Sequence, residues 1–287
     1  MQFAPAPVPR SFRQWMVLGT GPASAKTCVS LGLCRLLADA GAKVAPFKAI
    51  STLTLDEQRT GFDAGMLLAT GAFHHAGACR TALDPDMNPV VVVELEPGLG
   101  ELRLRGEALA RVEMLNRDTV RTDTLPPAVA ARVTTAIDAA YAALRDRYHA
   151  LVIEGAGSPV DLPPEMDWAN SRVARLSEAP LLLVGRFSNG GVAAGLAGTY
   201  ACLPADLAHR VTGVVLSDLA RPEHAAHARR VIETVTGLSV LGAVPAVRHG
   251  VSAGGPDRDY QAAYATWARA LAESLDLSAL GHPFPLP

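Results

Sequence analysis

The sequence predicts an α/β protein built on a doubly wound, mostly parallel sheet, and three observations carry that prediction. Short apolar runs alternate with amphipathic stretches from Trp15 to about residue 245. The connectors between them are short, so the passages read as successive βαβ units. The first connector, Gly19-Thr20-Gly21-Pro22, turns sharply out of an apolar run (Met16, Val17, Leu18) toward an amphipathic run that opens with Lys26-Thr27. Sheets of this kind bind ligands beyond the carboxyl ends of their strands.

Taken in order, residues 1–14 (MQFAPAPVPRSFRQ) form a Pro-rich arm without the apolar core of a secretory signal. Residues 28–40 place Val29, Leu33, Leu36 and Leu37 at helical spacing and stop at Gly41, a sensible C-cap. Residues 42–48 are a second strand. Residues 49–89 read as irregular or helical, broken by Gly61, Gly71, Gly77 and the turn-rich Asp84 to Pro89. Strands follow at 90–93 and 101–104, a helix at 126–147 and a strongly apolar strand at 150–153. A helix at 168–176, a strand at 180–184, a helix from Gly190 to about residue 203 and a strand at 211–216 come next. A helix at 223–235 and a strand at 240–244 complete the alternation. Gly254 to Pro256 looks like a break, residues 259–275 a terminal helix and HPFPLP a tail. The predicted organisation is therefore an arm (1–14), a main domain (15–250) and a C-terminal helix and tail (251–287).

The bulk numbers exclude several classes. A formal charge of −2 offers no basic surface for nucleic acid or an anionic membrane, and no apolar run reaches the length of a membrane span. The four cysteines show no CxxC pair, which fits reduced thiols in a cytoplasmic protein. Only three residues are lysines, Lys26, Lys43 and Lys48. Two of them fall where phosphate chemistry wants a compact ammonium.

Three positions are candidates for chemistry. A strand, a small-residue loop and a helix opening with Lys-Thr form a phosphate cradle: backbone N–H groups and the helix end face the anion, the lysine neutralises it, and the hydroxyl ligates Mg²⁺. Glycine usually precedes that lysine, and here Ala25 does; the alternative is a tight turn that binds nothing. Glu154 ends a buried strand beside Gly155-Ala156-Gly157, which suits a Mg²⁺ ligand or a strand-end acid capping the next loop. Lys48 ends the second strand on the same sheet edge, as a partner for charge on a transferring phosphoryl group or as a solvated lysine. Weaker candidates are His74-His75 as substrate contacts, Cys28 as a thiol near a helix N-terminus or a packed small residue, and His224/His227 on a solvated face.

Several segments together resemble the synthase domain of cobyric acid synthase and, more distantly, dethiobiotin synthetase, both P-loop NTPase-fold enzymes. The matching pieces are Gly19-Thr20 through Lys26-Thr27, Val44 to Lys48, Asp86-Met87-Asn88-Pro89-Val90 and Glu154-Gly155-Ala156-Gly157-Ser158-Pro159. Asp167-Trp168-Ala169-Asn170, Gly190-Gly191-Val192, Gly198-Thr199 and Gly242-Ala243-Val244-Pro245 follow, and the resemblance spans about residues 15–247. It implies an ATP-dependent, amide-forming ligase that activates a carboxylate of a corrinoid-like polycarboxylate through an acyl phosphate. By this resemblance Gly19, Thr20, Gly21, Ala25, Lys26 and Thr27 hold the nucleotide phosphates, Thr27 and Glu154 hold Mg²⁺, and Lys26 and Lys48 are catalytic. Asp86, Asn88, Ser158 and Asn170 fall on the substrate side, and Ser217 stands where an asparagine reads adenine. The family's ammonia comes from a fused glutamine amidotransferase domain. This sequence has only about forty residues beyond the match, so the resemblance implies free ammonia or a separate glutaminase subunit. A homodimer is expected on the same ground.

The sequence departs from the family pattern at several places. Ala23 replaces an acid in the loop, Ala25 the glycine before the lysine, and Glu94 stands near an expected lysine. Arg186, in the Gly185-Arg186-Phe187-Ser188-Asn189 run, replaces an aspartate. These changes together imply an alternative, a catalytically degenerate protein of the same fold that acts by binding a ligand or partner.

Overall fold

The computed structural model describes residues 12–62, 69–187, 190–247 and 255–280. Most of the predicted arm, Ser188, Asn189, Gly254 and the HPFPLP tail lie outside the described residues.

The elements run β1 (Arg13–Gly19), α1 (Lys26–Asp39), β2 (Val44–Phe47), β3 (Ile50–Leu53), α2 (Leu55–Arg59), α3 (Thr70–Ala78), β4 (Val90–Glu96), β5 (Leu99–Leu104), β6 (Glu107–Asn116) and β7 (Thr119–Val120). They continue with α4 (Pro127–Arg147), β8 (Ala150–Glu154), α5 (Ser171–Ser177), β9 (Leu181–Arg186), α6 (Val192–Cys202), α7 (Ala205–Ala208), β10 (Val211–Leu219), α8 (Ala225–Thr236), β11 (Val240–Pro245) and α9 (Gln261–Ser274).

Six strands form one parallel sheet in the order β11-β10-β9-β1-β8-β2. β1 sits inside it with β8 on one side and β9 on the other, so its two neighbours come from later, separate crossovers. Its side chains alternate between two cores, as period-2 geometry requires. Met16 and Leu18 pack with α4, α5, α6 and α8 through Ile137, Val173, Leu196 and Ile232. Trp15 and Val17 pack with α1 and α9 through Val29, Leu33, Tyr264 and Leu271. A sheet buried on both faces needs near-continuous apolar strands, which is why these were readable as short Val/Leu/Ile runs.

A second sheet departs from the expectation of one alternating sheet. Its order is β3-β4-β5-β6-β7, with β3 parallel to β4 and the other pairs antiparallel. The region expected to be irregular or helical therefore contains β3, and β6 is a ten-residue strand. β6 reads EALARVEMLN, buries only Val112 and Met114 fully, and so carries no apolar run to mark it. This sheet delivers β3 and the β6–β7 turn to the carboxyl edge of the parallel sheet.

α9 closes the face above α1. Tyr264, Trp267 and Leu271 are buried there, and Trp15 Nε1 donates to Leu280 O at 3.0 Å. No helix among the described residues is long and apolar enough to cross a membrane.

Candidate functional site

The loop after β1 folds back on itself because glycine is required at its start. A Cβ on Gly19 would lie 1.9 Å from Ser24 Oγ and 2.7 Å from Lys26 Cγ. Ala25 caps α1 in the left-handed region (φ 71°, ψ 21°), and Ala23 is also left-handed (φ 54°). The loop thus keeps a glycine-type backbone with alanine side chains.

Five predicted residues converge on one hollow of about 570 Å³ at the carboxyl edge: Ala25, Lys26, Thr27, Lys48 and Glu154. Thr27 Oγ1 donates to Glu154 Oε1 at 3.1 Å, and Lys48 Nζ donates to the same oxygen at 2.6 Å. Lys26 Nζ donates to Gly21 O at 2.9 Å and Gly157 O at 2.8 Å. Gly157 presents that carbonyl from a left-handed conformation (φ 59°), and a Cβ there would lie 2.5 Å from Thr119 Oγ1. The second glycine after Glu154 is thus fixed by the lysine it serves.

Charge is balanced by opposing effects. Burial pushes the Lys26 ammonium down to about 8, against the pull of Asp118 and Glu154. Burial also works against charge on Lys48, but Glu154 and Asp118 outweigh it and hold its pKa above the ordinary value. For Glu154 burial pushes upward, while Lys48 and His75 prevail and keep the carboxyl well below the usual range. Glu154 is therefore a fully buried carboxylate that stays ionised.

Thr27 Oγ1 and Glu154 supply hard oxygen donors of the kind Mg²⁺ prefers. Glu154 Oε2 faces His75 Nε2 at 3.1 Å, and each carboxylate oxygen has a second lone pair with which to take a cation. Among the described residues no group of three or more His, Cys, Asp and Glu side chains is arranged to hold a metal. The donor set fits an ion that takes its remaining ligands from phosphate oxygens and water.

The other predicted residues lie elsewhere. Thr20 N donates to Val184 O at 3.2 Å, and Gly21 offers its carbonyl to Lys26, so both build the loop. Ser217 is buried, and its hydroxyl donates to Ser24 O and Gly185 O, each at 3.3 Å. Asn88 accepts from Ala69 N at 3.1 Å and donates to Lys48 O at 2.8 Å and Val90 O at 3.1 Å, tying the Lys48 backbone in place. Asn170 likewise brackets Ala156, accepting from its N–H and donating to its carbonyl. Ser158 and Asn170 line a separate cavity of about 20 Å³. Asp86 sits in a clasp with Arg105 (2.6 Å) and Arg147 (2.7 Å) and does not line the hollow.

Several further residues join the site, among them the weak candidates His74 and His75, and Asp118, which the sequence did not mark. His75, on α3, also reaches Thr27 O at 3.3 Å. Asp118, in the β6–β7 turn, lines the hollow, and its charge is the largest influence opposing burial at Lys26. Arg186 donates to Asp218 at 2.6 Å at another part of the wall, and Trp267 and Phe62 give an apolar side. His74 lines the hollow and pairs with the Tyr264 hydroxyl at 2.9 Å. Burial pushes the Cys28 thiol up to about 12, which works against a thiolate there.

The chain is similar to several known proteins. The "Probable cobyric acid synthase" of Archaeoglobus fulgidus is 34% identical over 232 residues, which is 80% of this chain and 48% of that protein. The "Cobyric acid synthase" of Limosilactobacillus reuteri is 28% identical over 232 residues, 80% of this chain and 44% of that protein. The chain thus spans about half the length of the curated relatives it matches. The signal recognition particle receptor FtsY from Elizabethkingia anophelis, solved in complex with GDP, covers 91% of this chain and 65% of its own at 12% identity, with a TM-score of only 0.46. Residues 108–251 match the AAA_26 family, described as an AAA domain. That match takes in half of the chain, and with the loop, Lys26 and Glu154 at the carboxyl edge it identifies the chain as a member of the AAA_26 family, a P-loop, dethiobiotin synthetase-like family.

Proposed function

We propose that the protein is an ATP-dependent, amide-forming ligase that activates a carboxylate of a corrinoid-like polycarboxylate. The observation that carries this reading is the convergence of two ammonium groups, a hydroxyl and an ionised carboxylate on one hollow. The relatives named cobyric acid synthase favour the corrinoid class. In this reading the loop amides and Lys26 take the terminal phosphates of ATP. Thr27 and Glu154 hold Mg²⁺, which when bound adds positive charge against the phosphate oxygens. Lys48, fixed by Glu154 and by the Asn88 tie on its backbone, neutralises charge that builds on the transferring phosphoryl group.

The acceptor's carboxylate oxygen bonds to the γ-phosphorus as the bond from that phosphorus to the bridging oxygen breaks, and ADP leaves. Ammonia then attacks the acyl carbon, phosphate departs with the bonding pair, and the nitrogen gives up a proton to solvent. The ammonia is free or comes from a separate glutaminase subunit, and the protein works as a homodimer. The hollow's volume falls within the range of ordinary ligand sites, so a corrinoid would insert one side arm rather than its ring.

A second reading rests on Ala23, Ala25 and the engaged Lys26: a nucleotide-fold protein that binds a ligand or partner without turnover. Phosphate release separates the two. With saturating Mg·ATP, ammonium and a corrinoid polycarboxylate, the ligase releases phosphate and Lys48→Ala lowers the rate about 10²–10³-fold. No release above background from the wild type would favour the second reading.

A further inference from the structure

Beside Lys48 the hollow has a second polar wall that no part of the sequence pattern assigns. α3 begins there at Thr70, and its N-cap, Ala69, supplies no side-chain acceptor to the first turn. The open N–H groups of such a helix end and its dipole favour an anion. Ser51 on β3 is 2% exposed, and its hydroxyl makes no hydrogen bond. The Thr70 hydroxyl is likewise shielded and unpartnered. Both residues and Gly71 line the hollow together with Lys48. A Cβ on Gly71 would lie 3.5 Å from Lys48 Nζ, so the first turn of α3 runs directly beside that ammonium. Buried hydroxyls without partners are costly, about 1–3 kcal/mol each, unless something accepts from them.

We infer that Ser51, Thr70 and the uncapped first turn of α3 form a subsite for the acceptor's carboxylate, distinct from the phosphate loop and joined to it by Lys48. This deepens the ligase reading and rests on it. One carboxylate has the lone pairs to take both hydroxyls and a first-turn N–H, and Lys48 offsets its charge. The ammonium then stands between the attacking oxygen and the phosphoryl group. The subsite also replaces Asp86, Asn88, Ser158 and Asn170, none of which lines the hollow, as the substrate-recognising set.

The test uses the full-length chain labelled with nitrogen-15 and two simple probes, propionate and inorganic phosphate, each titrated with and without Mg·ADP. Propionate is expected to shift the Thr70 and Gly71 amides in both conditions, and Ser51→Ala/Thr70→Val is expected to weaken its binding at least tenfold. ADP affinity is read in parallel, and only a loss confined to propionate supports the subsite. Propionate that leaves Thr70 and Gly71 unmoved, or binds the double variant equally well, overturns it. So does a site that takes phosphate and not propionate. Failure of ADP to bind counts against the ligase reading alone, because the propionate titration without nucleotide still reports on the subsite.

Discussion

Ala25→Gly tests whether the loop holds the strained backbone described above. Ala25 lies at φ 71°, ψ 21°, where an alanine Cβ crowds the following carbonyl and costs about 1–2 kcal/mol. Glycine removes that cost but loses more chain entropy on folding, about 0.5–1 kcal/mol. The net expectation is a gain of up to about 1.5 kcal/mol from these two principles. The same substitution at Ala131, exposed within α4, has no strain to relieve and is expected to cost about 0.8–1.0 kcal/mol. Urea unfolding of the wild type and both variants gives the comparison, provided the slope of each transition is unchanged. Opposite signs support the reasoning; Ala25→Gly destabilising by as much as Ala131→Gly refutes it.

ATP affinity follows the Lys26 ammonium, whose pKa in the free protein is about 8. Calorimetry at constant ionic strength is expected to give a flat affinity from pH 6.5 to 7.5 and a loss of about tenfold by pH 9; an affinity constant to pH 10 contradicts this. Stability moves the other way in that window, because the unfolded lysine, with its ordinary pKa of 10.5, holds its proton where the folded one has lost it. Lys26 therefore adds stability as pH rises from about 8 to 10.5, measurable by denaturant titration. Asn88→Ala strips partners from Ala69 N, Lys48 O and Val90 O and is expected to cost about 3 kcal/mol or more, with lower phosphate release. Asp86→Ala removes arginine contacts near the surface, and is expected to cost under about 1 kcal/mol and to leave phosphate release within twofold. Loss of release with Asp86→Ala at full stability would return that residue to the substrate site.

What was legible in the sequence follows from what local chemistry can encode. The parallel strands are buried on both faces, so their apolar runs stand out, and the connection from β1 to α1 announces itself by Gly19 and Lys26. Lys26, Thr27, Lys48 and Glu154 could be singled out because each stands at the end of a strand or the start of a helix on the same sheet edge. Two strands of the second sheet, β4 and β5, were legible at 90–93 and 101–104, but β3 is four residues of mixed polarity and β6 keeps most of its side chains exposed or half-buried, so neither stood out. Asp118 reaches the hollow only through tertiary folding and carries no local signal, while the His74-His75 pair was a weak candidate whose contact of His75 with Glu154 only the fold provides. Asn88 and Asn170 look like substrate contacts when read in their motifs. In the fold their amides satisfy buried backbone groups instead, which explains why those motifs need asparagine.

The central claim, that Lys26, Lys48 and Glu154 build one triphosphate site, is tested most directly by calorimetric titration of the wild type and Lys26→Ala with Mg·ATP. The account predicts micromolar binding to the wild type and at least a hundredfold loss in the variant. Equal affinity in the two proteins, or no heat from the wild type at saturating nucleotide, would contradict it.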